Sequence, residues 1–131
     1  MATIRILLAD DNRAMLADLC DELGKEFQIV DTVDHGAEVI DAVTRLDLDI
    51  LILDITMPGA NGIQLASRLL NMHPRTKIVF LTIHEQAEYI AAAFSAGANG
   101  YVTKRRLGSD LALVIREVFN GGMFLSPSLG K

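Results

Sequence analysis

The sequence predicts an α/β domain: a doubly wound parallel sheet of five strands, in a three-layer sandwich with helices on both faces. Three observations carry that expectation. Short β-branched and Leu-rich runs alternate strictly with segments whose apolar residues recur at helical spacing. One run, Ile50–Leu53, is apolar at four successive positions, which suits a strand covered on both faces. Polar groups close four of the five runs: Asp10 and Asp11 the first, Asp54 the third, Thr82 the fourth and Lys104 the fifth. Open parallel sheets bind ligands beyond the carboxyl ends of their strands, where strand order reverses.

The elements follow in order. Ile4–Ala9 reads as a buried strand. Asn12–Lys25 reads as a helix, with Met15, Leu16, Leu19 and Leu23 on one face and Gly24 as its stop. Phe27–Val33 is the second strand, and Gly36–Leu46 the second helix, through Val39, Ile40, Val43 and Leu46. Asp49–Leu53 is the third strand. Met57-Pro58-Gly59-Ala60-Asn61-Gly62 is turn chemistry. Ile63–Met72 is the third helix, stopped by Pro74, and Lys77–Thr82 the fourth strand. Glu85–Ala96 is an Ala-rich fourth helix with Gly97 placed to cap its C-terminus. Gly100–Thr103 is a short fifth strand. Ser109 looks like the N-cap of a last helix, Asp110–Asn120, which ends at Gly121-Gly122. One domain over residues 1–122 is expected, with 123–131 as the start of a linker.

Composition excludes several classes. The net charge of −5 opposes nucleic-acid binding by this segment, and Lys104-Arg105-Arg106 is too short a basic cluster to reverse that. No apolar stretch approaches the roughly 20 residues that span a membrane, and the first residues lack a secretory signal's apolar segment. No membrane partner is expected. The single cysteine, Cys20, rules out an internal disulfide and fits a reducing, cytoplasmic compartment.

Three acids, a hydroxyl and an ammonium at one sheet edge make a site for a divalent cation and a phosphoryl group. Magnesium prefers oxygen ligands and keeps several waters, and Asp10, Asp11 and Asp54 offer carboxylates for it. Without a cation these acids would repel one another. Asp54, at the end of the central strand, is best placed as a nucleophile, forming an acyl phosphate. Lys104 can set a point charge on one phosphoryl oxygen, and Thr82 can donate a hydrogen bond to another. Taken singly, each residue has a plainer role: Asp10-Asp11 as a helix cap, Asp54 as a loop acid, Thr82 as a strand residue, Lys104 as a solvated lysine, Tyr101 as core. Their joint placement favours the site.

Asp10-Asp11, Asp54 followed by Met57-Pro58 and Gly62, then Thr82 and Lys104, resemble the receiver domains of two-component response regulators, from about Ile4 to Asn120. Leu81-Thr82-Ile83-His84, Ala96 to Tyr101, Val102-Thr103-Lys104 and the late Gly121 to Pro127 resemble the NarL/LuxR subgroup. The resemblance implies a flavodoxin-like (βα)5 fold with strand order 2-1-3-4-5. It implies that Asp54 is the phosphoacceptor for a histidine kinase. It also implies that Asp11 and Asp54 ligate Mg2+, with Asp10 acting largely through water and Thr56 through its backbone carbonyl. Thr82 and Tyr101 fall where the family has its switch pair, and Lys104 where it has its phosphate-binding lysine. Such a domain is not an enzyme in its own right; it assists its own phosphorylation and dephosphorylation. In the subgroup the late segment precedes a helix-turn-helix DNA-binding domain. The expectation is therefore a receiver fragment or a stand-alone receiver, touching DNA only through a C-terminal domain outside this chain, with a homodimer as an ordinary assembly.

Three positions depart from the family pattern or invite a second role. Ile83 stands where a small residue is usual, and a branched side chain there would narrow the approach to Asp54. Arg105 follows Lys104 where many members have proline. His84 either acts on water near the phosphate or starts a helix in solvent. In the expected switch, Thr82 moves toward the new charge and Tyr101 fills the vacated space from outside, altering the surface of the fourth helix, fifth strand and fifth helix. Two other classes compete. A pseudo-receiver would keep the fold as an interaction module without the chemistry. A flavodoxin-like cofactor binder would need a phosphate-cradling loop after the first strand, where this chain has the acidic Asp10-Asp11-Asn12.

Overall fold

The structure, a computed structural model, describes residues 3–125. Its main strands are β1 (Arg5–Ala9), β2 (Gln28–Val33), β3 (Ile50–Leu53), β4 (Lys77–Thr82), β5 (Gly100–Thr103) and β6 (Phe124–Leu125). The helices are α1 (Arg13–Leu23), α2 (Gly36–Arg45), α3 (Gly62–Met72), α4 (Ala87–Ser95) and α5 (Leu107–Phe119). The sheet order is β2-β1-β3-β4-β5-β6, and every pairing in it is parallel. The first five strands reproduce the expected order 2-1-3-4-5.

Side-chain alternation along the strands divides the core in two. Leu7, Leu51, Leu53, Ile78, Phe80 and Tyr101 face α2, α3 and α4, meeting Val39, Leu65, Leu69 and Ala93. Ile6, Leu8, Ile50, Ile52, Val79, Leu81 and Val102 face α1 and α5, meeting Leu16, Leu19, Leu111 and Val114. Burial of each such Leu, Ile or Val contributes about 1.5–3 kcal/mol. β3 is fully buried along its length, as its unbroken apolar run requires.

Several boundaries differ from the sequence reading, each for a local reason. Asn12 rather than an aspartate caps α1, its side chain accepting from the Met15 amide. Asn61 caps α3 by accepting from the Ile63 and Gln64 amides. The expected turn at 57–62 contains a small antiparallel ladder, Thr56–Met57 against Ala60–Asn61. α4 begins at Ala87, two residues after the predicted start at Glu85. α5 begins at Leu107, straight out of a 3-10 turn at Lys104–Arg106. Ser109 is therefore inside the helix, donating to the Arg106 carbonyl at 3.2 Å, and is not its N-cap. Gly97 does close α4, with φ +105, a conformation other residues adopt only with strain.

The 123–131 segment starts differently from a free linker. Phe124–Leu125 pairs with Gly100–Tyr101 and adds a strand to the sheet edge, while the rest of that segment lies outside the described residues. Among the described residues no helix is long and apolar enough to cross a membrane.

Gly62 lets α3 start against the end of β3. Its amide donates to the Ile55 carbonyl at 2.6 Å. A Cβ there would overlap the Asp54 carbonyl oxygen and stand 2.8 Å from the Ile55 Cα. Those are backbone atoms that cannot swing aside. Gly62→Ala is expected to lower stability by about 1–3 kcal/mol, the usual range for overpacking, measured by urea denaturation.

Candidate functional site

The chain order reverses between β1 and β3, and the site forms there. Ala9 and Leu53 are register partners, and the Asp54 amide donates to the Ala9 carbonyl at 3.1 Å. Asp10 and Asp54 therefore leave the sheet side by side, both buried, while Asp11 is exposed. With Asn12 serving as the cap, Asp10 is free for another role; its Oδ1 accepts from the Asn12 amide at 2.9 Å. One carboxylate oxygen from each of Asp10, Asp11 and Asp54 lies within 4.8 Å of the others.

Lys104 closes the pocket from the turn after β5. Its Nζ lies 2.9 Å from Asp10 Oδ2 and 3.0 Å from Asp54 Oδ2. Only the second contact has hydrogen-bond geometry, so Asp10 Oδ2 is buried, close to a cation, and without a directed donor. Burial pushes the Asp10 carboxyl above the usual carboxylate range; Lys104 and the Asn12 amide oppose that, and the Asp54 charge adds to it. Burial disfavours the Lys104 ammonium, yet its close contacts with the Asp10 and Asp54 carboxylates outweigh that and hold its pKa above the ordinary lysine value. The lysine is thus the resident cation of a carboxylate pair.

The donor set fits a hard divalent ion: oxygen ligands only, with one buried carboxylate oxygen lacking a directed donor. Asp10, Asp11 and Asp54 would hold it.

Thr82 ends β4, fully buried, and its Oγ1 accepts from the His84 amide at 3.4 Å. Tyr101 departs from the expected outside position. Its ring is completely buried against Phe80 and Phe94, and its hydroxyl donates to the His84 carbonyl at 2.8 Å. Burial, with the Asp54 charge second, pushes the Tyr101 phenol up, so it remains a donor. Thr56, just beyond the acid, donates its amide to Asp54 Oδ1 at 3.4 Å.

Ile83 is 70% exposed, so its side chain stands in solvent rather than filling the pocket. Arg105 Nη2 reaches Glu85 Oε1 at 2.6 Å, tying the turn after β5 to the loop after β4. No peptide bond among the described residues is cis. His84 is neither a helix-start residue nor free in solvent. Its ring shares a 3.0 Å hydrogen bond with Thr56 Oγ1 and stacks on Tyr89, centroids 4.1 Å apart. The sequence signal for this was slight: a ring five residues before an aromatic, with its other partner 28 positions away.

Fold and site together define a class: a doubly wound α/β domain with an acidic, lysine-bridged pocket at its switch point. The chain belongs to the response regulator receiver domain family, whose model matches residues 6–116. It is 33% identical over 135 residues to the response regulator GacA of Pseudomonas viridiflava, covering 98% of this chain and 61% of that protein. It is 32% identical over 129 residues to the transcriptional regulatory protein LnrK of Bacillus subtilis, covering 96% and 58%. The chain thus spans about three fifths of the length of these curated relatives. Among solved structures it is similar to a LuxR-family two-component response regulator from Aurantimonas sp. SI85-9A1, with TM-score 0.93, 26% identity, and 98% and 94% of the two chains covered. The isolated receiver domain of RcsB from Salmonella enterica, in the presence of a phosphomimetic, shares the fold at TM-score 0.91 and 23% identity, over 98% and 97% of the chains.

Two predictions follow from the charge arrangement. Asp10 has its pKa raised by folding, so its contribution to stability is present below the ordinary aspartate value and lost as pH rises through the raised one. In metal-free buffer, Asp10→Asn is expected to unfold at a higher temperature at neutral pH and to lose that acid-side slope, as thermal melts across pH will record. Lys104 occupies the oxygens that a metal would use. Lys104→Met is expected to tighten divalent-cation binding by about tenfold, equivalent to roughly 1.4 kcal/mol, measured by calorimetric titration.

Proposed function

We propose that this chain is the phosphorylation-dependent input module of a cytoplasmic two-component regulator, with Asp54 as its phosphoacceptor. One observation carries the reading: a buried, nucleophile-capable carboxylate beside Asp10, bridged by Lys104, at the reversal point of the sheet. The donor is a histidine kinase's phosphohistidine. A carboxylate oxygen of Asp54 forms the new O–P bond as the P–N bond breaks, and that bond's electron pair returns to the imidazole nitrogen. Asp10, Asp11, Asp54 and the Thr56 carbonyl would hold Mg2+, which when bound would supply positive charge to offset that of the phosphoryl oxygens. Lys104 exchanges its carboxylate partners for a phosphoryl oxygen, and Thr82 donates its hydroxyl to another. The chain is no enzyme in its own right, because the group it transfers ends on itself.

The added charge, about −1.5 to −2 at neutral pH, would act on the surface of α4, β5 and α5 through Thr82 and Tyr101. Its output would be transcription, through a C-terminal DNA-binding domain outside this chain. Homodimerisation is the natural assembly; RcsB, with the same fold, has been seen as dimers bound to DNA. Because Tyr101 is already inside, Thr82 has no vacant ring site to open, and the shift it drives is in the loop that holds the tyrosine.

Incubation with Mg2+ and a small phosphodonor is expected to yield an acid-stable, base-labile adduct with the mass of one phosphoryl group, absent in Asp54→Ala. A folded wild-type protein that stays unmodified under donor excess would be a pseudo-receiver.

A further inference from the structure

The loop between β4 and α4 is held from several sides, and His84 makes most of the connections. Its amide donates to Thr82 Oγ1, and its carbonyl accepts from the Tyr101 hydroxyl. Its imidazole bonds to Thr56 Oγ1 on one side and stacks on Tyr89 of α4 on the other, the rings 13° from parallel. Thr56 in turn donates its amide to Asp54 Oδ1, a carboxylate of the cation cluster. A continuous path of direct contacts therefore runs from Asp54 through Thr56 and the His84 ring to Tyr89. It does not pass through the Thr82 side chain.

We propose that His84 is a positioning residue that carries the state of the metal loop to α4, by a route separate from Thr82. The inference rests on the reading of Asp54 and its neighbours as a metal site. Cation binding pulls the Asp54 carboxylate away from Lys104 and resets the 3.4 Å contact with the Thr56 amide. Thr56 is exposed and sits in a two-residue ladder, so it can follow. Its hydroxyl moves the imidazole, and the imidazole moves the ring stacked on it. α4 is thereby biased by the metal alone, before any phosphoryl group arrives. Reciprocity requires that whatever binds the α4 face also changes metal affinity by the same factor.

The chain supplies its own reporters. It has two tyrosines and no tryptophan, and both tyrosines touch His84, one through its ring and one through its carbonyl. Intrinsic fluorescence therefore reads this loop without a label. Wild-type protein titrated with Mg2+, with no phosphodonor, is expected to change tyrosine emission and to shift the backbone amide resonances of α4. In His84→Phe the stack on Tyr89 is kept and the bond to Thr56 is lost. That variant is expected to bind Mg2+ by calorimetry while its α4 response disappears. His84→Gln, whose amide can still reach Thr56, is expected to restore part of the amide shifts. A full α4 response in a metal-binding His84→Phe protein would overturn the route. So would Mg2+ binding to the wild type with no response at α4, and the metal site itself would survive that result. Absence of Mg2+ binding to folded wild type would remove the metal reading and this inference together.

Discussion

Two carboxylates buried next to each other are the constraint on which the rest of this domain depends. The sheet order makes β1 and β3 neighbours, and both strands end in aspartate, so Asp10 and Asp54 meet away from bulk water. Removing a buried charge's partner typically costs about 3–5 kcal/mol, so such a pair, when both members are ionised, calls for a cation beside it. In this structure Lys104 provides it. The turn Lys104–Arg106 follows β5 directly, which puts the ammonium over the switch point. The acids are held together by one cation, in a place where a divalent metal ion would meet the same demand.

Around that pair, each neighbouring element leaves the acids free of structural duty. Asn12 caps α1, so Asp10 does not have to. Asn61 caps α3, and Gly62 allows that helix to start against the Asp54 carbonyl. The loop after β4 is tied to the acidic loop by Thr56, to β5 by Tyr101 and to the following turn by Arg105. A change at the pocket therefore meets a cross-braced loop rather than a slack one.

What the sequence revealed, and what it hid, divides along the range of the interaction. Strand ends, the parallel arrangement and the meeting of Asp10, Asp11, Asp54 and Lys104 at one edge were legible because they depend on short apolar runs and on the chemistry at their ends. Helix starts were less so: Ser109 matches a cap locally, but the Lys104–Arg106 turn runs straight into the helix at Leu107. The burial of Tyr101 depends on Phe80 and Phe94 and on the His84 carbonyl, none of them local in sequence. His84 itself carries no pattern, since its importance comes from a partner 28 residues away. Ile83 looked obstructive by residue type, yet its side chain points into solvent.

The sixth strand extends the same logic to the end of the domain. Phe124 and Leu125 pair with Gly100 and Tyr101, and the Phe124 amide donates to the Asn99 carbonyl at 3.0 Å. Leu125 packs on the core cluster that contains Tyr101, while Phe124 packs on the opposite one. Because β6 runs parallel to β5, the chain reaches Leu125 heading toward the edge that carries Lys104 and the acids. The strand that bears the buried tyrosine is therefore also the strand on which Phe124–Leu125 is anchored. The loop that grips the Tyr101 hydroxyl and the Phe124–Leu125 strand are thus both attached to the short β5 backbone.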